Sequence, residues 1–262
     1  MRAVRTVTAH ALIASFACVV ACHRTSPAPS QGGGAPYVPL ATTNHGDPLS
    51  DADVDLVLTA EGVRVAPDGP VFPVHLEAVD AAAPARPLLL SELESSIRPG
   101  NPKSARLFID GRAPYGVVAS TLFTLGDLGV RKRCLVAEVH GAPACIVPGA
   151  STKGTTVAAI VRDYGVVVAS SQGKYDAACS SSPGVAAART ATGYEWTALG
   201  ATARCALDSL GRAKMLPAAL SVSAAFDVPF ATVLGVVDSF DDAQGAQTFG
   251  SPQFAVWTGP DP

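Results

Sequence analysis

Two histidines stand where they could do chemistry. His75 lies two residues from Glu77 in the alternating run VFPVHLEAV (Val71 to Val79), and His140 precedes Gly141-Ala142-Pro143. Acid–base catalysis would need the imidazole in reach of a nucleophile, yet neither histidine adjoins a Ser or Cys in a Gly-x-Ser-x-Gly setting. His75 reads as a half-exposed strand residue and His140 as a turn residue. The stretch Asp51-Ala52-Asp53-Val54-Asp55 opens with the carboxylate spacing of a calcium loop. Leu56 stands where that loop needs Gly and Gly62 where it needs Glu, so the acids read as the solvated start of a strand. Gly149-Ala150-Ser151-Thr152-Lys153-Gly154 reverses the Gly-Lys order of a phosphate loop and reads as a linker. Asp110 and Asp227 each stand where a strand meets a helix, a place for capping a turn or for touching a ligand at a cleft edge. Tyr115 and Phe230 follow them as packing or partner-contact residues. Asp241-Asp242 near a helix C-terminus opposes the helix dipole. No catalytic residue, metal ligand or cofactor emerges, and the sequence predicts a binding protein that is not an enzyme.

The elements that must position these residues begin behind an N-terminus with its own chemistry. Arg2 and Arg5 precede an apolar run, Ala9 to Ala21, too short to span a bilayer, and Val19-Val20-Ala21-Cys22 has the order of a bacterial lipobox. The expectation is a signal peptide over residues 1–21 and a mature chain beginning at Cys22, lipidated through its sulfur. Residues 22–51 are rich in Pro, Gly, Ser and Thr and read as a flexible tether. His23 and His45 lie there. The whole chain of 262 residues carries a formal charge of −3, and loss of Arg2 and Arg5 makes it more acidic. That argues against a nucleic-acid partner, which calls for a basic stripe.

Once Cys18 is cut away and Cys22 lipidated, Cys134, Cys145, Cys179 and Cys205 remain. An even number in an exported chain, without the close spacing of a zinc site, predicts two disulfides. Cys134 and Cys145 flank a hairpin around Gly141 to Pro143. Cys205 lies half a turn around its helix from Trp196 and is free to hold the loop of Cys179. Of the three possible connectivities, the expected one joins Cys134 to Cys145 and Cys179 to Cys205, which keeps each pair within one half of the chain.

The chain also repeats itself. Laying Pro114 on Pro229, an offset of 115 residues, brings Tyr115 onto Phe230, Val118 onto Val233, Leu122 onto Val237, Leu125 onto Phe240 and Leu128 onto Ala243. From Val118 and Val233 onward these positions share one helix face. Upstream, Asp53 to Val65 and Thr155 to Ala169 each read as two strands about a Gly-containing turn. A helix candidate follows in each half. The first has Ser91 and Glu94 spaced for a capping box, and the second carries the stripe Trp196, Leu199, Ala203, Leu207, Leu210. Both halves give strand, strand, helix, strand, helix, strand. The predicted fold is α+β: two tandem modules over 52–148 and 155–262, each a small sheet with two helices on one face.

The wording of these segments resembles the periplasmic domain of the ExbD/TolR biopolymer-transport family. LLLSELESSI (Leu88 to Ile97), LFIDGRAPYGVV (Leu107 to Val118) and LGDLGV (Leu125 to Val130) follow that family's order, and FDVPFATVLGVVDSF (Phe226 to Phe240) repeats part of it in a diverged second copy. Family members carry a transmembrane helix with an acidic residue that uses the proton gradient. Ala9 to Ala21 has no Asp or Glu, so the resemblance implies the soluble domain's role without proton coupling. Taken with the lipobox, it implies a lipoprotein in the periplasm of a Gram-negative bacterium, anchored to the inner or outer membrane. Such a protein would bind peptidoglycan or an envelope protein partner. A scaffolding subunit of a trans-envelope transport or motility complex is the second reading, and an envelope hydrolase the third. Domains of that family are expected to pair, and a tandem chain could pair internally as a monomeric pseudodimer.

Overall fold

A computed structural model describes residues 38–74, 89–149, 156–170, 173–174, 179, 185–191, 193–212, 219–241 and 249–255. In the first module β1 (Val54–Thr59) and β2 (Gly62–Val65) run antiparallel through a tight turn. Gly62, at φ 140°, is required there because a Cβ would collide with the Phe72 carbonyl on β3 (Val71–Phe72). Helix α1 (Ser91–Ile97) turns Leu93 and Ile97 into the core. The capping box expected from Ser91 and Glu94 does not form: Ser91 is already helical and no side chain caps this end. Instead the Leu90 N–H donates to the Thr124 hydroxyl at 3.0 Å, while Glu94 pairs with Arg98 one turn on.

Strand β4 (Ser104–Ile109) lies parallel to both β1 and β5 (Lys132–Val139), with helix α2 (Tyr115–Asp127) between β4 and β5 in sequence. Gly129, at φ 76°, stops α2, and the Val130 N–H bonds back to Leu125 O at 2.9 Å. Strand β6 (Ala142–Ile146) closes a hairpin with β5 through His140 and Gly141, both at positive φ, the twist a two-residue hairpin favours. Strand order is β3-β2-β1-β4-β5-β6.

The second module comprises β7 (Thr156–Val161), β8 (Gly165–Ser170), β9 (Gly173–Lys174), β10 (Ala187–Thr190), β11 (Gly193–Tyr194), α3 (Trp196–Arg212), β12 (Ala219–Ala224), α4 (Phe230–Asp238) and β13 (Gln253–Phe254). Its order is β11-β10-β8-β7-β12-β13, with β9 also on β8. The central strands β8-β7-β12-β13 reproduce β2-β1-β4-β5 in order and direction. Strands β4 and β12, 115 residues apart, have the same sequence of buried and half-buried positions. The architecture is α+β, two sheet modules with two helices each, and the helices touch within each pair and between α2 and α4.

The modules meet where the two Pro-aromatic helix starts face each other. Pro114 and Pro229 are the N-caps of α2 and α4, with φ, ψ of −60°, 141° and −59°, 139°, and they form an antiparallel bridge. The Tyr115 N–H donates to Val228 O at 2.7 Å and the Phe230 N–H to Ala113 O at 2.9 Å. The Gly116 N–H donates to Phe226 O and the Ala231 N–H to Gly111 O, both at 2.9 Å. Each bond maps onto its partner under the 115-residue offset. These amides are the orphan donors of two helix N-termini, and the modules satisfy them for each other. Tyr115, Val117, Val118, Val228, Phe230, Val233 and Leu234 are buried in a core that runs through both modules.

Residues 38–51, expected within the flexible tether, are held against the folded chain. Leu40 bridges Asp110, Thr42 bridges Glu138 and Asp47 bridges Cys145. Val38, Leu40 and Leu49 pack on Phe108, Cys134, Val136 and Cys145, the face of the first sheet opposite to Leu107, Leu135 and the helices. A sheet with apolar residues on both faces needs a cover on both, and this segment supplies the second. It also reaches the other module: Thr43 Oγ1 donates to Asp238 Oδ1 at 2.7 Å, and Asn44 Nδ2 to Asp241 Oδ2 at 3.1 Å. His45 Nε2 lies 2.9 Å from Asp241 Oδ1.

Candidate functional site

The residues singled out from sequence go to different places. Cys134 pairs with Cys145 and Cys179 with Cys205, with Cα atoms 5.2 and 5.6 Å apart. Cys22, His23, His75, Glu77, Lys153 and Asp242 lie outside the described residues. Asp53 accepts from the Lys103 and Ser104 amides, and Asp55 pairs with Arg106 at 2.6 Å, so these acids tie the start of β1 to β4. Among the described residues no three His, Cys, Asp or Glu side chains converge as a metal site.

Asp110 and Asp227 are not structural equivalents. The backbone bond of Asp110 to Leu58 O is repeated by Ala225 to Val161 O, and the turn Ala113 N to Asp110 O by Val228 N to Ala225 O. Asp227 therefore occupies the place of Arg112. Matching by residue type set the aspartates two positions out of register. Asp110 is buried; it accepts from the Arg112 amide at 2.8 Å and from the Arg112 guanidinium at 3.0 and 3.2 Å. That guanidinium holds the carboxyl below the usual carboxylate range, helped by the backbone bond against the opposing effect of burial.

Tyr115 and Phe230 are fully buried and belong to the junction between modules. The Tyr115 hydroxyl donates to Ala255 O at 2.7 Å and Val222 O at 3.2 Å, reaching the end of the β12–β13 ladder in the other module. Burial disfavours the phenolate and pushes the pKa of this hydroxyl far above the ordinary phenol value.

Asp227 has a different surrounding. It lines a cleft of about 430 Å³ walled by the β10–β11 hairpin, the start of α3, and the turn from β12 into α4. Arg189 sits opposite Tyr194 in the hairpin register, and its Nη1 donates to Asp163 O at 3.3 Å. The Tyr194 hydroxyl donates to Arg162 O at 2.9 Å, which fixes the ring. Partial burial raises this hydroxyl above its ordinary value; Asp163 and Asp227 push the same way and Arg189 opposes them. Trp196 is 38% exposed and stands 5.5 Å from the Tyr194 ring, centroid to centroid, tilted by 44°. Its indole leans on Gly235 of α4, where a Cβ would come within 3.2 Å of the ring.

The stripe expectation for Trp196 holds for Leu199 and Ala203, which are buried. Trp196 itself opens the helix and turns to the cleft. Tyr194 and Trp196, two aromatics flanking one residue at the start of a helix, are the sequence signal for this site, and the core stripe that begins with Trp196 masks it. Arg189 and Asp163 carried no signal, because only the hairpin register brings them there. The cleft combines aromatic surface with two exposed carboxylates and a guanidinium. It suits a polar ligand with a flat apolar face.

A chain of two sheet-plus-helix modules that exchange backbone bonds at their helix starts is the class the structure defines. No known protein family, curated protein or solved structure matches it.

Proposed function

We propose that the protein is a non-catalytic cell-envelope lipoprotein, anchored through Cys22 in the periplasm. Its paired, ExbD/TolR-like modules would bind peptidoglycan or another envelope component without proton coupling. The observation that carries this reading is the reciprocal junction at Pro114 and Pro229. A surface through which single modules would pair between chains is used here inside one chain, so a monomer can present unequal outer faces to a partner. The second module bears the aromatic cleft, and Arg112 stands in the first at the position of Asp227. The lipobox Val19-Val20-Ala21-Cys22 and two disulfides fit an oxidising compartment outside the cytoplasm. Asp163 and Asp227 are both exposed, whereas the general acid of a glycosidase such as lysozyme sits in an apolar pocket. That favours binding over hydrolysis.

The test is sedimentation of the full-length protein with purified peptidoglycan sacculi, with soluble fragments assayed in the supernatant. Co-sedimentation without fragment release is expected. Release of fragments would overturn the non-catalytic part. Absence from the pellet, together with no envelope protein cross-linked to the chain in cells, would overturn the whole reading.

A further inference from the structure

We propose that the cleft of the second module is a saccharide site that takes a short stretch of β-linked glycan, with Trp196 as its stacking platform. This rests on the envelope-binding reading and names the part of the envelope recognised there. In a gluco-configured β-linked chain the ring substituents are equatorial. Each pyranose then has two C–H faces without polar groups and a rim of hydroxyls. Such a ligand needs a flat π surface for the face and paired donors and acceptors for the rim.

The cleft holds both. Trp196 and Tyr194 supply aromatic surface at one wall, and their rings are held: Tyr194 by its bond to Arg162 O, Trp196 by its seat on Gly235. Asp163, Asp227 and Arg189 line the same space with acceptors and donors for hydroxyl pairs, and Thr232 adds a hydroxyl. The volume of about 430 Å³ falls in the range of small-molecule sites, roughly 300–1,000 Å³. Other ligand classes fit less well. Two carboxylates against one guanidinium disfavour a phosphate or a nucleotide. A lipid chain would leave all three charged groups unmet. The site also explains an otherwise wasteful arrangement, a Trp left 38% exposed at the start of a helix whose next turns bury Leu199 and Ala203.

The platform is preorganised by a missing side chain. Gly235 lies inside α4, where Ala favours the helix over Gly. A Cβ there would press on indole atoms at 3.2 to 3.6 Å and shift the ring by a few tenths of an ångström. Gly235→Ala thus moves the platform while supporting the fold, which separates a binding role from a structural one.

The experiment titrates the full-length protein in detergent with the β-1,4-linked hexamer of N-acetylglucosamine, read by calorimetry and tryptophan fluorescence. The same variants are also sedimented with sacculi. Saturable binding is expected for the native chain, at least ten-fold weaker for Trp196→Ala and several-fold weaker for Gly235→Ala and Asp227→Asn. The melting temperatures of the last two should not fall. Failure of the native chain to bind the hexamer, or equal binding by all three variants, overturns the saccharide assignment. If Trp196→Ala still sediments with sacculi as the native chain does, the cleft assignment falls and the envelope reading stands. If the hexamer binds through Trp196 but sacculi do not, the envelope reading falls and the saccharide site stands.

Discussion

The hydroxyl of Tyr115, carried by the first module, donates to the carbonyl oxygen of Ala255 in the second at 2.7 Å. Its counterpart under the 115-residue offset, Phe230, is equally buried but has no hydroxyl to give. The junction is therefore symmetric in backbone and unequal in side chains. Tyr115→Phe keeps the packing and leaves the partly buried Ala255 O without this donor. Such a loss costs about 1–2 kcal/mol. Urea unfolding should show the midpoint lowered with the slope unchanged, and an unaltered midpoint would mean that the bond does not hold the modules.

The segment from Leu40 to Asp47 makes a second joint, and Asp238 is its titratable part. Burial raises the Asp238 carboxyl above the ordinary Asp value; Thr43 and Asn44 act against that, while Asp241 adds to it and His45 opposes. A carboxyl whose folded value exceeds its unfolded value binds protons more readily in the folded chain. The stability it contributes is complete below the unfolded value and is lost as pH rises through the raised folded value. Asp238→Asn can still accept from Thr43 and never carries the buried charge. It should equal or exceed the native chain in melting temperature at pH 7, with the difference shrinking as pH falls toward 3. A variant less stable than the native chain at pH 7 would contradict this.

Asp110 has the opposite sign. Its carboxyl is depressed by Arg112, so the stability it contributes is present above the unfolded Asp value and is lost as pH falls through the folded value. The Arg112 side chain is 80% exposed, and solvent screens much of the pair. Asp110→Asn should cost only about 1 kcal/mol at neutral pH, and the gap to the native chain should close under acid. A pH series of thermal melts on both variants reads the two signs side by side.

The repeat was legible because Pro, an aromatic and an apolar face recur in register, and the same register sets the backbone bonds of the junction. The disulfide pairs were legible too, since a hairpin around Gly141 brings Cys134 and Cys145 together. What escaped depends on contacts distant in sequence. Leu40 and Thr42 show no periodic pattern, because this segment takes its regularity from Asp110 and Glu138. The Leu90 amide finds Thr124 across a helix pair, which no local capping rule contains. Asp227 resembles Asp110 by type alone, because a turn's hydrogen bonds define equivalence and they select Ala225.

The disulfide between Cys134 and Cys145 should matter most to the segment that covers it. It lies on the sheet face under Val38, Leu40 and Leu49. The covering segment is fastened to the same two strands: the Thr43 N–H bonds to Glu138 O, and the Asp47 N–H and Cys145 N–H each bond to the other residue's carbonyl. Chain-entropy arithmetic for a loop closed over a separation of 11 residues gives about 3 kcal/mol of stabilisation. The β5–β6 ladder closes the same loop, so global stability should fall by less when both cysteines are replaced by Ser. The local effect should be larger than the global one. Hydrogen exchange of the Thr43 and Asp47 amides should accelerate in the double variant, while amides of β1 and β4 keep their protection. If exchange rises equally throughout the first module, the bond is a staple of the whole sheet and the covering segment does not depend on it in particular.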